Sequence, residues 1–121
     1  MKKKILLIYT GGTIGMMHNP DNGALEPFEF NDIYSHLPML KLLNADIEFK
    51  TLLPLIDSSD TNPDFWIRLA TMIGDNYKLY DGFVILHGTD TMSYTASALS
   101  FMLENLAKPV ILTGSQLPLG A

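Results

Sequence analysis

Four short apolar runs, at residues 4–10, 47–53, 82–87 and 109–113, alternate with longer stretches of helical spacing. The runs are continuous and show no strict two-residue alternation. Such runs are typical of strands that are covered on both faces, as in a parallel sheet. In such α/β proteins, right-handed crossovers bring the loops after the strands to one edge. The sequence therefore predicts an open, mostly parallel, Rossmann-like sheet with helices on both faces.

Helical spacing of apolar residues is clearest at residues 61–77. Either Thr61 or Asn62 is suited to cap this helix, and Pro63 suits its first turn. A second helix is predicted after Thr91. Helices in these positions would connect successive strands of the sheet.

Two further segments lie between the first two apolar runs. Residues 30–43 form a weaker amphipathic pattern that Pro38 interrupts. Residues 18–24 contain several turn formers and few apolar side chains, which predicts an exposed loop. This loop is either a lid beside the first polar motif or a plain connection.

Composition narrows the class of protein. The chain has 121 residues, of which 47% are hydrophobic and 17% charged, so we expect one compact unit and not a disordered chain. Eight Lys and Arg against 13 Asp and Glu give a net charge of −5, which leaves no basic stripe for a nucleic acid. The absence of cysteine excludes disulfides, thiolate catalysis and Cys-ligated zinc.

The basic start of the chain is followed by only five apolar residues before a Thr-Gly-Gly turn. That run is too short for a signal peptide, and no stretch approaches the roughly 20 apolar residues of a membrane span. We therefore expect a cytoplasmic protein with no membrane partner.

Three polar segments follow predicted strands: residues 10–15 (TGGTIG), 57–60 (DSSD) and 87–91 (HGTDT). Because the carboxyl ends of parallel strands form the ligand crevice of an open sheet, these segments are expected to face one small molecule. Hydroxyl and main-chain N–H groups could hold the carboxylate of a zwitterion, and Asp60 or Asp90 its ammonium group. The pattern favours a polar cup for an amino acid.

Each segment also has a simpler interpretation. The glycine-rich turn could be a tight strand-to-helix connection or a phosphate cradle, although it lacks the dinucleotide and P-loop spacings. Thr89 and Asp90 could cap a helix, and Ser58 and Ser59 could belong to a surface turn. His87 is interpreted as a hydrogen-bonded residue at the end of a strand. No His and acidic residues show metal-ligand spacing, so we favour a metal-free hydrolytic site that uses threonine.

The three segments, together with residues 113–118 (TGSQLP), occur in an order and at separations that resemble the N-terminal domain of bacterial-type L-asparaginases. The resemblance is greatest to the cytoplasmic type I enzymes and covers essentially the whole chain. It implies hydrolysis of L-asparagine to L-aspartate and ammonia by a threonine nucleophile, without a metal or organic cofactor.

The resemblance also assigns catalytic roles. Thr13 matches the first catalytic threonine of the family and is the expected nucleophile. Thr89 matches the second catalytic threonine, which the family pairs with an aspartate, matched by Asp90, and with a lysine.

Substrate-binding roles follow from the same resemblance. Ser58 matches the position that binds the α-carboxylate, and Asp90 also meets the α-ammonium group. Ser59 stands where the periplasmic enzymes carry glutamine, which favours the type I comparison. Main-chain N–H groups near Thr89 and in the first glycine loop would stabilise the oxyanion, and Gly12, Gly88 and Thr89 are also expected to bind the substrate.

Two departures from the family pattern are visible. The tyrosine that assists the first threonine in many members has no match at residues 23–25, and Tyr34 lies in a helical pattern. The catalytic lysine is also unmatched by any of Lys41, Lys50, Lys78 and Lys108.

The missing lysine bears on the domain organisation. Residues 1–121 are therefore expected to be an incomplete N-terminal domain that lacks the family's smaller C-terminal domain and is poorly active alone. The family implies a homodimer or homotetramer for a full-length protein.

Three other functions remain open at this point. The chain could be the asparaginase-like subunit of a tRNA-dependent amidotransferase, which releases ammonia for a partner. It could bind an amino acid without turnover. It could also bind a phosphate or nucleotide through residues 11–15.

Overall fold

The computed structural model describes residues 2–11, 16–18, 21–23, 25–27, 42, 44–53, 61–89, 92–103 and 107–114. Its elements, in chain order, are β1 (Lys3–Tyr9), β2 (Met16–His18), β3 (Leu25–Pro27), β4 (Ala45–Thr51), α1 (Pro63–Asn76), β5 (Gly82–Leu86), α2 (Met92–Met102) and β6 (Val110–Thr113). The four predicted strands and the two predicted helices with clear signals are confirmed within a few residues at each end.

The main sheet has the order β4-β1-β5-β6, and every neighbouring pair is parallel. β1 therefore lies between two partners that come much later in the chain. Helix α1 connects β4 to β5 and α2 connects β5 to β6. This arrangement confirms the predicted α/β class with an open parallel sheet.

One face of the sheet carries the core. Leu6 and Ile8 of β1 and Phe83 and Ile85 of β5 are buried and pack with residues of both helices. The helical residues of this cluster are Phe65, Leu69 and Ile73 of α1 and Leu99 of α2. Both described helices thus cover the same face, while the predicted segment at 30–43, apart from Leu42, lies outside the described residues.

Helix α1 begins as the sequence predicts. The Oδ1 of Asn62 accepts a hydrogen bond of 3.0 Å from the backbone N–H of Phe65, and Pro63 occupies the first turn. Asn62 thus satisfies one of the amides that a helix start leaves without an intrahelical partner. Of the two candidate caps, the structure selects Asn62. Neither helix of the described residues is long and apolar enough to span a membrane.

The prediction that none of the four apolar runs shows two-residue alternation is wrong for β4. Residues 45–51 do alternate between apolar and polar side chains, and in β4 half-buried positions alternate with exposed ones. The reason is that β4 is an edge strand of the described sheet, and one of its faces is open to solvent.

The predicted loop at 18–24 is shorter than expected because His18 ends β2, which pairs with β3 in an antiparallel hairpin. Strands of three residues are too short to show a period. The exposed part of that loop, residues 21–23, is confirmed.

Candidate active site

The carboxyl ends of all four parallel strands are joined by backbone hydrogen bonds. Leu52 N–H donates to Tyr9 O at 2.9 Å, Thr10 N–H to Leu86 O at 3.0 Å, and His87 N–H to Thr113 O at 2.9 Å. The segments that leave the strands therefore start side by side. This edge is the place where an open parallel sheet binds its ligand.

Thr10 has a structural role at this edge. Its hydroxyl donates to Leu86 O at 2.8 Å, the same oxygen that accepts from its N–H, and the residue is 1% exposed. The next residue, Gly11, has φ of 132°, which a residue with a Cβ rarely adopts. The glycine thus lets the chain turn sharply out of β1 toward the segment that contains Thr13.

His87 is held in one tautomer. Its Nδ1 lies 2.6 Å from the carbonyl oxygen of Gly88, and its Nε2 lies 2.9 Å from Oγ1 of Thr95. Because a carbonyl oxygen can only accept, Nδ1 carries the hydrogen, and Nε2 of the neutral ring accepts one from the Thr95 hydroxyl. The prediction that His87 is a hydrogen-bonded residue at the strand end is confirmed.

The Thr95 hydroxyl is itself oriented by Trp66. The indole Nε1–H of Trp66 in α1 donates to Thr95 Oγ1 in α2 at 2.9 Å. Hydrogen bonds therefore run in one direction from Trp66 through Thr95 and His87 to the carbonyl of Gly88. We call these three side chains the Trp-Thr-His relay. Thr95 and His87 are 0% and 1% exposed, and the His87 ring packs edge-on against Phe65.

Burial lowers the pKa of His87 below its ordinary value of 6.5, and the bond to the Gly88 carbonyl opposes that change in part. The charged ring would lose its hydration and would present a second N–H to Thr95. The unfolded chain therefore takes up a proton at a higher pH than the folded protein does. Stability contributed by the neutral ring is complete above pH 6.5 and is lost as the pH falls toward the pKa of the folded state.

We expect acidification to destabilise the protein more than it destabilises a His87→Asn variant. Below pH 6.5 the difference in unfolding free energy should change by up to about 1.4 kcal/mol per pH unit, because His87 alone distinguishes the two proteins. Denaturant titrations of both proteins between neutral pH and about pH 5 measure it. His18 and His36 are present in both proteins, so their contributions cancel in the difference between the two unfolding free energies. Parallel pH profiles would contradict the assignment.

The turn after β5 contacts the end of β6. A Cβ placed on Gly114 would lie 3.3 Å from Cγ2 of Thr89 and closer than 3.0 Å to the carbonyl oxygen of His87. The absence of a side chain at Gly114 therefore lets the segments after β5 and β6 approach closely. Thr89 is half-buried and follows Gly88 in this turn.

Of the predicted site residues, the structure describes Gly88 and Thr89 and places both at the carboxyl edge. The remaining ones, Gly12, Thr13, Ser58, Ser59 and Asp90, lie outside the described residues. Within the described part of the chain, no three His, Asp or Glu side chains are grouped to hold a metal ion.

Sequence reasoning missed the relay. The apolar spacing at residues 61–77 includes Trp66 but predicts no polar contact for it, and the sequence predicts no role for Thr95. A signal was nevertheless present, because Trp, Thr and His side chains that are removed from water carry polar atoms that need hydrogen-bond partners. Because α1 and α2 both pack on the sheet beside β5, their polar side chains are placed to bond to one another and to the residue that follows β5.

The family described as asparaginase, N-terminal, matches residues 4–121 of this chain. L-asparaginase 1 of Escherichia coli (strain K12) is 52% identical over 123 residues, which cover 98% of this chain and 35% of that protein. The crystal structure of L-asparaginase I from Vibrio cholerae O1 biovar eltor matches with a TM-score of 0.87 at 49% identity, and covers 100% of this chain and 36% of that one. These similarities confirm the predicted resemblance.

A further solved structure, described as a probable cytoplasmic L-asparaginase from Campylobacter jejuni, matches with a TM-score of 0.79 at 33% identity. The match covers 99% of this chain and 37% of that one. The chain thus spans between about a quarter and about a third of the length of the curated relatives it matches.

Proposed function

Because this chain belongs to the asparaginase family, whose N-terminal domain it matches over nearly its whole length, we propose that the protein hydrolyses L-asparagine to L-aspartate and ammonia. The observation that carries the proposal is the position of Thr89. It lies at the carboxyl edge of the parallel sheet, just beyond the end of β5, the strand between β1 and β6, in a turn that the Trp-Thr-His relay holds.

Thr13 is the proposed nucleophile. Its hydroxyl oxygen bonds to the side-chain carbonyl carbon of asparagine, the C–N bond breaks, and ammonia leaves with the hydroxyl proton. Water then attacks the resulting ester, which releases aspartate and restores the Thr13 hydroxyl. In the sequence, Thr13 follows Gly11 by two residues, and Gly11 is where the chain turns out of β1 at this edge.

Thr89 and Asp90 form the second catalytic pair of the proposal. The family pairs its second threonine with a lysine as well, and no lysine of this chain matches that position. Main-chain N–H groups around Gly12 and Gly88 are proposed to bind the oxyanion of the tetrahedral intermediate, where each donor is worth roughly 2.7–4 kcal/mol in other enzymes.

Small polar groups are proposed to recognise the amino acid itself. Ser58 would bind the α-carboxylate with help from Ser59, and Asp90 would bind the α-ammonium group. Charge complementarity explains why such a cup selects a zwitterion over a neutral amide. The mechanism calls for no metal or organic cofactor.

Cellular context is part of the proposal. Similarity to a protein described as cytoplasmic supports a cytoplasmic location. We also propose a homodimer or homotetramer that binds neither nucleic acid nor membrane, in keeping with the net charge of −5.

The test is ammonia release by the intact protein, as its gene encodes it, with L-asparagine, D-asparagine and L-glutamine as substrates. We expect equimolar ammonia and L-aspartate from L-asparagine. Asparagine binding without any product would replace this function with a non-catalytic amino-acid-binding one. Ammonia release that requires a partner subunit and a tRNA would indicate an amidotransferase subunit instead.

A further inference from the structure

The Gly88–Thr89 peptide is the point where the buried network meets the proposed site. The carbonyl oxygen of Gly88 accepts from His87 Nδ1–H at 2.6 Å and is thereby directed toward the buried ring. In a trans peptide the C=O of one residue and the N–H of the next point in opposite directions. The N–H of Thr89 is therefore directed away from the His87 ring.

We propose that His87, which bonds to the Gly88 carbonyl through Nδ1–H and is held in place by Thr95 and Trp66, is a positioning residue that orients the Thr89 amide as a donor toward the reacting carbonyl. The proposal rests on the asparagine hydrolysis proposed above. His87, Thr95 and Trp66 touch neither substrate nor reacting atoms in it. They act through the direction of one peptide plane.

The direction of the relay depends on each member in turn. Trp66 Nε1–H can only donate, so it occupies a lone pair of Thr95 Oγ1 and leaves the hydroxyl hydrogen for His87. The carbonyl oxygen of Gly88 requires the ring hydrogen on Nδ1, so Nε2 of the neutral ring accepts the Thr95 hydroxyl hydrogen. If Nε2 carried that hydrogen instead, Nδ1 and the Gly88 oxygen would be two acceptors 2.6 Å apart and would repel each other.

The relay also makes the peptide rigid. The two hydrogen bonds between the three side chains join α1, α2 and the end of β5, and the His87 ring packs on Phe65 of α1. A donor that is fixed before the substrate arrives needs no reorganisation as negative charge develops, which is the condition for effective oxyanion stabilisation. The relay thus ties the geometry of the turn to the packing of both helices.

A first measurement reads the tautomer without any need for activity. Long-range 1H–15N correlation spectra of the intact protein, labelled with 15N-histidine, distinguish the Nδ1–H, Nε2–H and doubly protonated rings. The His87 signals are identified by their loss in His87→Asn. At neutral pH we expect the Nδ1–H tautomer, and an Nε2–H or doubly protonated ring in the wild-type protein would overturn the proposal.

The second measurement is kinetic. Thr95→Val removes the hydroxyl, and we expect kcat for L-asparagine to fall roughly tenfold to a hundredfold with a smaller change in KM. Thr95→Ser should recover kcat to within about threefold because it restores the hydroxyl. Thr71→Val makes the same chemical change on an exposed turn of α1 and is the matched control. A wild-type kcat in Thr95→Val, or an equal loss in Thr95→Ser, would overturn the proposal.

Trp66→Phe supplies the remaining comparison, because it keeps an aromatic ring and removes only the indole N–H. As a single substitution it should lower kcat. In the double variant Trp66→Phe/Thr95→Val, kcat should be no lower than in Thr95→Val alone. Independent losses would contradict a relay. If the wild-type protein releases no ammonia, the proposed function fails, while the tautomer spectrum still decides whether His87 orients the peptide.

Discussion

Ammonia release from L-asparagine is expected to fall by about a thousandfold or more when Thr89 is replaced by alanine, with the fold retained. Alanine keeps the backbone N–H that the Trp-Thr-His relay orients, so the substitution removes the hydroxyl alone. Thr89 is half-buried and not part of the core, so its loss should cost about 1 kcal/mol or less in unfolding free energy.

The measurement is steady-state kinetics of the intact Thr89→Ala protein beside a thermal melt. Thr89→Ser is the matched variant, because it retains a hydroxyl and should keep a measurable rate. Thr71→Ala, on the exposed face of α1, controls for the loss of a threonine elsewhere. A Thr89→Ala protein that is folded and fully active would remove Thr89 from the catalytic machinery.

Gly114→Ala is expected to destabilise the protein by about 3 kcal/mol or more, since overpacking against backbone cannot be relieved by rotating a side chain. The added methyl group would overlap the carbonyl oxygen of His87 and press on Cγ2 of Thr89 at 3.3 Å. The turn after β5 must then move away from β6. We therefore also expect the variant to lose activity beyond the effect of its lower stability.

Gly74→Ala provides the opposite control. Gly74 lies within α1, and a Cβ placed there meets no atom within 4 Å. Alanine in a helix interior should stabilise the protein by roughly 0.5–1 kcal/mol relative to glycine. Urea titrations of the two variants measure both effects, and similar stability changes in both would show that the space at Gly114 is not restricted.

Local signals in the sequence predicted the elements that depend on neighbouring residues. The start of α1 is an example, because Asn62 and Pro63 act within one turn of the helix. The parallel class of the sheet was also predictable, since the strands that lie inside it are continuously apolar. The edge position of β4 was misjudged, although its alternating charged residues carried the information.

Properties that depend on long-range contacts were harder to predict. The sequence indicated that His87 ends a strand, but its tautomer depends on Thr95 and on Trp66, which lies 29 residues before Thr95. Likewise, the need for glycine at Gly114 arises from the backbone of His87, which directly follows another strand. For the candidate site, the sequence predicted the edge of the sheet and the threonine, and the structure adds the network beneath it.

The central position of β1 also has a consequence during synthesis. β1 leaves the ribosome before the other strands of the described sheet, and its partners β4 and β5 are made about 40 and about 75 residues later. At roughly 5–20 residues per second, this apolar strand waits several seconds with both edges unpaired. Lys2, just before the strand, and Lys3 and Lys4, its first two residues, are exposed and place positive charge directly on the nascent segment. Such gatekeeper charges oppose self-association, so the basic start of the chain protects the strand on which the sheet is later assembled.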